Sequence, residues 1–213
     1  MKHMLRDSLG FSGELPCVDN YRRAPGRVRT YVKIIREKEL LDPGGRIYVY
    51  HTPVHMLKPI LGIVNIVALV RDPRDVAVSS VIYKYKSNEN LHERVFNSGR
   101  GRFYAKLMSS FIDGRKEFQL YVMRYEDVKA DTFGSITSVL DHFGYEYDPE
   151  VVEKAVKKRS FRSMSEGRCV GEEDCSSHYR KGVIGDWKNV FTKEDCESFV
   201  KDHYHIMKEF GYL

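Results

Sequence analysis

No stretch of the sequence is long and apolar enough to cross a bilayer. The longest apolar run, residues 60–70, is interrupted by Asn65 and falls well short of the roughly 20 residues that a spanning helix needs. The opening Met1-Lys2-His3-Met4-Leu5-Arg6-Asp7 has no uninterrupted apolar region, so no signal peptide is expected. The reading is a cytoplasmic protein with no membrane partner. Cysteine is scarce, with four residues at 17, 169, 175 and 196. Cys169, Cys175 and His178 invite a zinc reading. However, five residues separate the two cysteines, more than the usual two to four, and there is no second close pair, so no metal is expected. Free thiols in a reducing compartment follow. A dominant charge is lacking too: 35 basic against 30 acidic residues leave only +5, too little for a broad nucleic-acid footprint. Arg22-Arg23, Lys157-Lys158-Arg159 and the run from Arg100 to Tyr104 are scattered and read as solvated faces, so no nucleic-acid partner is expected. Repeats, low-complexity tracts and long linkers are also missing. The 213 residues therefore read as one domain.

What is present is a globular composition, 42% apolar and 31% charged, in which short apolar runs alternate with helical patterns. Residues 29–41 read as an amphipathic helix stopped by Pro43-Gly44-Gly45. Residues 46–51, 63–70 and 118–124 read as strands, the second nearly continuously apolar, as in a parallel sheet covered on both faces. Asp72-Pro73-Arg74-Asp75 reads as a capped helix start running to about Lys86. Further helices are expected over 103–112, from Asp131 or Thr132 to about Phe143, from Asp148-Pro149 to about Lys158, and after Thr192. Alternation of this kind predicts an α/β fold with a parallel sheet flanked by helices. Ligands of such sheets lie outside the carboxyl ends of the strands. His51, Arg71 and Tyr125 each directly follow a strand and are expected to converge there.

Two stretches carry the most chemistry. In Arg71-Asp-Pro-Arg-Asp-Val-Ala-Val-Ser79, an arginine that can fork onto two phosphate oxygens precedes a helix start with free N–H groups, and a serine hydroxyl follows in the second turn. In Arg180-Lys-Gly-Val-Ile-Gly-Asp-Trp-Lys-Asn-Val-Phe-Thr192, two cations adjoin a glycine whose backbone can approach a ligand closely. Taken together, the stretches resemble the cytosolic-type sulfotransferases that use 3′-phosphoadenosine 5′-phosphosulfate (PAPS). The first is similar to that family's 3′-phosphate-binding segment. The second is similar to its Arg-Lys-Gly-x-x-Gly-Asp-Trp-Lys-Asn-x-Phe-Thr signature.

The resemblance implies a P-loop-NTPase-like sulfotransferase fold with PAPS as co-substrate and adenosine 3′,5′-bisphosphate (PAP) as product. It implies a small-molecule acceptor and no metal. It places Arg71, Ser79, Arg180, Lys181 and Gly182 on the 3′-phosphate. Val122-Met-Arg-Tyr-Glu-Asp127 is similar to a segment whose tyrosine lies by the adenine, which assigns that place to Tyr125. Ser160-Phe161 resembles a later Thr-Ser-Phe stretch, which assigns Phe161 to the other face of the base, although Arg159 departs from the family's Thr or Cys. Tyr50-His51-Thr52-Pro53 is similar to a Lys-Thr-His-Leu-Pro segment, making His51 the general base that takes a proton from the acceptor.

The resemblance breaks in three places. The sequence contains no counterpart of the family's Pro-Lys-Ser-Gly-Thr-Thr-Trp phosphosulfate loop and no G-x-x-x-x-G-K-[ST] run; residues 3–7 correspond to the helix after that loop, so the first strand and loop are expected to be missing. Binding of PAP or PAPS without catalysis is therefore the alternative to sulfuryl transfer. Val49 stands where the family's histidine segment carries lysine. The dimer motif maps onto Lys188, Thr192 and Glu197, but Lys193 replaces a valine, predicting a monomer or weak homodimer. The acceptor pocket is expected from the variable stretches 88–102 and 165–177.

Overall fold

The computed structural model describes residues 65–117 and 119–213, so His51 and the helix and strands read before residue 52 lie outside the described residues. Within them, β1 (Ile66–Val70) and β2 (Leu120–Arg124) pair in parallel, with Ile66 opposite Leu120 and Val70 opposite Arg124. Three helices connect them: α1 (Pro73–Tyr85), α2 (Leu91–Ser98) and α3 (Arg100–Glu117). After β2 come α4 (Tyr125–Ala130), α5 (Thr132–His142), α6 (Pro149–Lys158), the single-turn α7 (Phe161–Met164), a 3-10 turn over Asp186–Asn189, and α8 (Lys193–Glu209).

The strands separate two apolar layers, because successive side chains of a strand point to opposite faces. Val70 and Val122 face a core of Val78, Val81, Ile82, Met108, Phe199 and Met207, built by α1, α3 and α8. Val67, Tyr121 and Met123 face the other core, of Ile136, Val139, Leu140 and Val152 from α5 and α6. The fold is thus the expected α/β arrangement, a parallel sheet covered on both sides. Among the described residues no helix is long and apolar enough to cross a membrane.

The helix starts follow the capping chemistry in the sequence. The Asp72, Asp131 and Asp148 carboxylates accept from the N–H groups of Arg74, Gly134 and Glu150 at 2.9, 2.8 and 2.8 Å. Thr192 and Asp195 bond each other's N–H in a capping box. Such caps typically contribute about 1 kcal/mol each.

Two helical stretches exceed the sequence expectation. α3 runs from Arg100 to Glu117 rather than 103–112. Gly101 belongs inside it because a Cβ there would lie 3.0 Å from the Phe199 ring and 3.2 Å from the Pro73 carbonyl, so the glycine permits close packing rather than a break. α2 occupies much of the 88–102 stretch read as an acceptor loop.

The C-terminus is tied to the first helix. Arg74 pairs with Asp72, stacks 3.7 Å over the Trp187 ring and donates to the Tyr212 carbonyl at 2.9 Å. The Tyr212 hydroxyl donates to Glu126, whose other oxygen accepts from the Asp72 N–H at 3.2 Å. Burial, reinforced by the Glu126 carboxylate, pushes the Tyr212 phenol well above its ordinary pKa, so it remains a donor. These bonds hold the Trp187 turn and the α1 start together.

Candidate functional site: the carboxyl edge of the sheet

The register sets the first contact. Because Val70 pairs with Arg124, the next residues, Arg71 and Tyr125, emerge side by side at the carboxyl edge. The Arg71 guanidinium lies 4.5 Å from the Tyr125 ring centroid. Burial raises the Tyr125 pKa despite the opposing pull of Arg71, so the ring is an uncharged surface.

One Arg71 nitrogen donates to Asp75 at 3.3 Å and to the Val183 carbonyl at 3.2 Å. Its Nε is buried and has no hydrogen-bond partner among the described residues. Such a donor is costly to leave unmatched and marks a place for an acceptor.

Asp75 joins the two sequence stretches. It is 1% exposed, and its two oxygens accept from the Gly185 N–H at 2.8 Å and the Trp187 N–H at 3.0 Å. Sequence reasoning treated this residue only as an acid in the first turn of a helix. No helical-face spacing announces its pairing with Arg71, because Arg71 lies before the α1 start at Pro73.

Arg180 is held by Glu173 and by Asp186, and Lys181 reaches the same Asp186 at 3.0 Å. Burial opposes the Arg180 charge, but the two carboxylates outweigh it and raise its pKa. Burial likewise opposes the Asp186 carboxylate, and its bonds to Arg180 and Lys181 outweigh that and keep its pKa low. Residues 168–174 fold back to frame Arg180: Gly171 N–H donates to Lys181 O at 2.8 Å, Asp174 N–H to Arg180 O at 3.0 Å, and Arg168 also donates to Arg180 O at 2.8 Å.

Arg71, Ser79 and Arg180 line one recess of about 260 Å³, together with Ser80, Tyr83 and His178. The Ser79 hydroxyl has no partner among the described residues, whereas Ser80 bonds the Ala77 carbonyl at 3.0 Å. Tyr125, Phe161, Lys181 and Gly182 stand beside the recess rather than on its wall. Phe161 covers Gly182, which adopts a left-handed φ of 65°.

A Cβ at Gly182 would lie 2.7 Å from the Phe161 ring. Gly182→Ala is therefore expected to displace that ring and to lower stability by about 1–3 kcal/mol, the usual range for a strained backbone, as read by chemical denaturation.

The α1 N-terminus offers an anion fewer N–H groups than the sequence suggests, because Pro73 has none and the Arg74 N–H is taken by the Asp72 carboxylate. The recess instead runs along the flank of α1, past Val76, Ser79 and Tyr83. The Arg100–Tyr104 run is not a simple cationic face either: the Tyr104 hydroxyl donates to the Leu69 carbonyl at 3.2 Å, and burial pushes its pKa up to about 12. Among the described residues no group of three or more His, Cys, Asp or Glu side chains is arranged to hold a metal ion.

Comparison with known proteins identifies the family and the fold. A family model described as the sulfotransferase domain matches residues 14–211. Sulfotransferase 2A6 of Mus musculus is 28% identical over 206 residues, covering 86% of this chain and 70% of its own. Sulfotransferase 2A1 of Mus musculus is 30% identical over 179 residues, covering 74% and 62%. The chain thus spans about two thirds of the length of these curated relatives. Two solved structures share the fold. A mouse sulfotransferase, SULT7A1, complexed with PAP has a TM-score of 0.64 at 22% identity, with 82% of this chain and 70% of that one covered. A retinol dehydratase in a complex with retinol and PAP has a TM-score of 0.63 at 22% identity, with coverages of 91% and 64%.

Proposed function

Since this chain belongs to the sulfotransferase domain family, we propose that it binds PAPS through the recess at its sheet edge and transfers the sulfuryl group to a hydroxyl or amine of a small acceptor. The observation that carries the reading is that Arg71, Ser79 and Arg180, distant in sequence, line one recess. The residues fit a phosphate group. Arg71 brings a buried N–H with no partner, Ser79 an uncommitted hydroxyl, and Arg180 a guanidinium whose five donors are not exhausted by two carboxylates.

In this reading Arg71, Ser79 and Arg180 bind the 3′-phosphate, and Lys181 and Gly182 support that end of the site. Tyr125 and Phe161 flank the adenine. Bound PAPS supplies the activated sulfuryl group. His51, outside the described residues, accepts the proton from the acceptor hydroxyl, a task suited to an imidazole near neutral pH. A cytoplasmic setting and a monomeric or weakly dimeric state complete the proposal.

The test is incubation of the chain with labelled PAPS and a panel of phenols, alcohols and amines. Label on an acceptor supports transfer. Binding of PAP with no labelled product would reduce the function to nucleotide binding, and absence of both would contradict the reading.

A further inference from the structure

Three cations at the recess are already matched by carboxylates before any ligand is considered. Arg71 is paired with Asp75, Arg180 with Glu173 and Asp186, and Lys181 with Asp186, giving three cations against three carboxylates. A doubly charged phosphate added to such a set leaves two negative charges to be offset. At the rim stand His178 and Tyr83, with His178 Nε2 3.2 Å from the Tyr83 hydroxyl and the rings 4.6 Å apart. Both line the same recess as Arg71, Ser79 and Arg180.

Resting on the reading that this recess takes the 3′-phosphate, we propose that His178 takes up a proton when the phosphate binds and, with Tyr83, completes the phosphate site. The charged groups facing His178 determine this. Lys86, just beyond α1, sits 3.9 Å over the Tyr83 ring and donates to Ser176 O at 3.0 Å; it is already a cation. Across the recess, Arg71 and Arg180 are cations too, each held by carboxylates. These groups are cations already, so none of them can add positive charge when an anion arrives.

Of these groups only an imidazole ordinarily titrates near neutral pH. Glu173 is the competing acceptor of a proton, but its carboxylate is already held in an ion pair by Arg180. The hydrogen bond gives the proton a second effect. A neutral His178 that accepts from Tyr83 occupies the phenol proton. A protonated one donates from Nε2 to the Tyr83 oxygen and leaves the phenol O–H for a phosphate oxygen.

The sign of the pH dependence follows. Phosphate favours the imidazolium, so binding consumes a proton around neutral pH, and the added affinity is present at low pH and lost as pH rises. The phosphate's own second ionisation, near pH 6, acts in the same range but affects wild type and variants alike. The wild-type to variant ratio therefore isolates the histidine.

The experiment is calorimetric titration of the whole chain with PAP in buffers of differing ionisation enthalpy, for wild type, His178→Gln and Tyr83→Phe. Adenosine 5′-monophosphate, which lacks the 3′-phosphate, is the control ligand. The wild type is expected to take up about 0.3 of a proton more than His178→Gln near pH 7. Its affinity advantage for PAP should be about threefold at pH 6 and vanish by about pH 8.5, with none for the control ligand. Tyr83→Phe should lose part of the advantage and, with it, part of the proton uptake.

Equal proton uptake in wild type and His178→Gln, with a ratio that does not change with pH, would overturn the His178 assignment and leave the recess reading standing. A wild type that binds PAP no more tightly than the monophosphate would overturn both.

Discussion

Arg71→Ala is expected to weaken PAP binding by about 2–4 kcal/mol, roughly a hundredfold, because it removes charge-assisted bonds to the 3′-phosphate. Some stability should be lost as well, because the buried Asp75 carboxylate loses its counter-ion, but the site should stay assembled. Asp75 keeps its bonds from the Gly185 and Trp187 N–H groups when Arg71 is removed, so the turn that positions Arg180 stays attached to α1. The affinity for adenosine 5′-monophosphate should change far less, since that ligand never engages the recess. Arg71→Lys should recover only part of the loss, because an ammonium lacks the Nε donor and the flat face that lies against Tyr125. Calorimetry of the three proteins with both ligands reads the result. Equal losses for both ligands would move Arg71 from the phosphate to a general structural role.

Asp75→Ala is expected to have the largest effect on stability, about 3–5 kcal/mol, the range for removing one partner of a buried ion pair. Three donors lose their acceptor at once: the Gly185 and Trp187 N–H groups and the Arg71 guanidinium. The side chain is fully buried, so water cannot replace it without opening the contact between α1 and the 3-10 turn. Asp75→Asn keeps one oxygen acceptor and should fall between the wild type and the alanine variant. Urea denaturation measures the difference, and PAP binding should fall alongside it because Arg180 is reached through the same turn. A loss below about 1 kcal/mol, the worth of an ordinary hydrogen bond, would mean that Asp75 is not the joint between the two stretches.

The parts of this site that were legible in the sequence are those fixed by local chemistry. Asp72-Pro73, Asp148-Pro149 and Thr192-x-x-Asp195 announce helix starts through short-range capping, and each cap forms. Arg71 and Tyr125 were placed at one edge because each directly follows a strand, and parallel pairing of Val70 with Arg124 brings them together.

What escaped was the use of local groups for distant purposes. Asp75 satisfies ordinary helix-start chemistry, so nothing nearby reveals its bonds to a turn more than a hundred residues away. The Arg74 N–H looked free for an anion until the Asp72 side chain, itself clamped by Arg74, occupied it. α2 was hidden because its first residue follows Asn90 in a left-handed conformation with no side-chain cap, leaving only Leu91, Val95 and Phe96 as a pattern. His178 stands beside cysteines in the sequence, while its partner in the fold is an aromatic ring on α1.

The central claim is that residues from two distant stretches grip one phosphate, and a crystal structure of the chain with PAP tests it most directly. The expected result is the 3′-phosphate in the recess, within hydrogen-bonding distance of Arg71 Nε, the Ser79 hydroxyl and Arg180. A complex with that phosphate bound elsewhere, and with the Arg71 Nε still unpartnered, would contradict it.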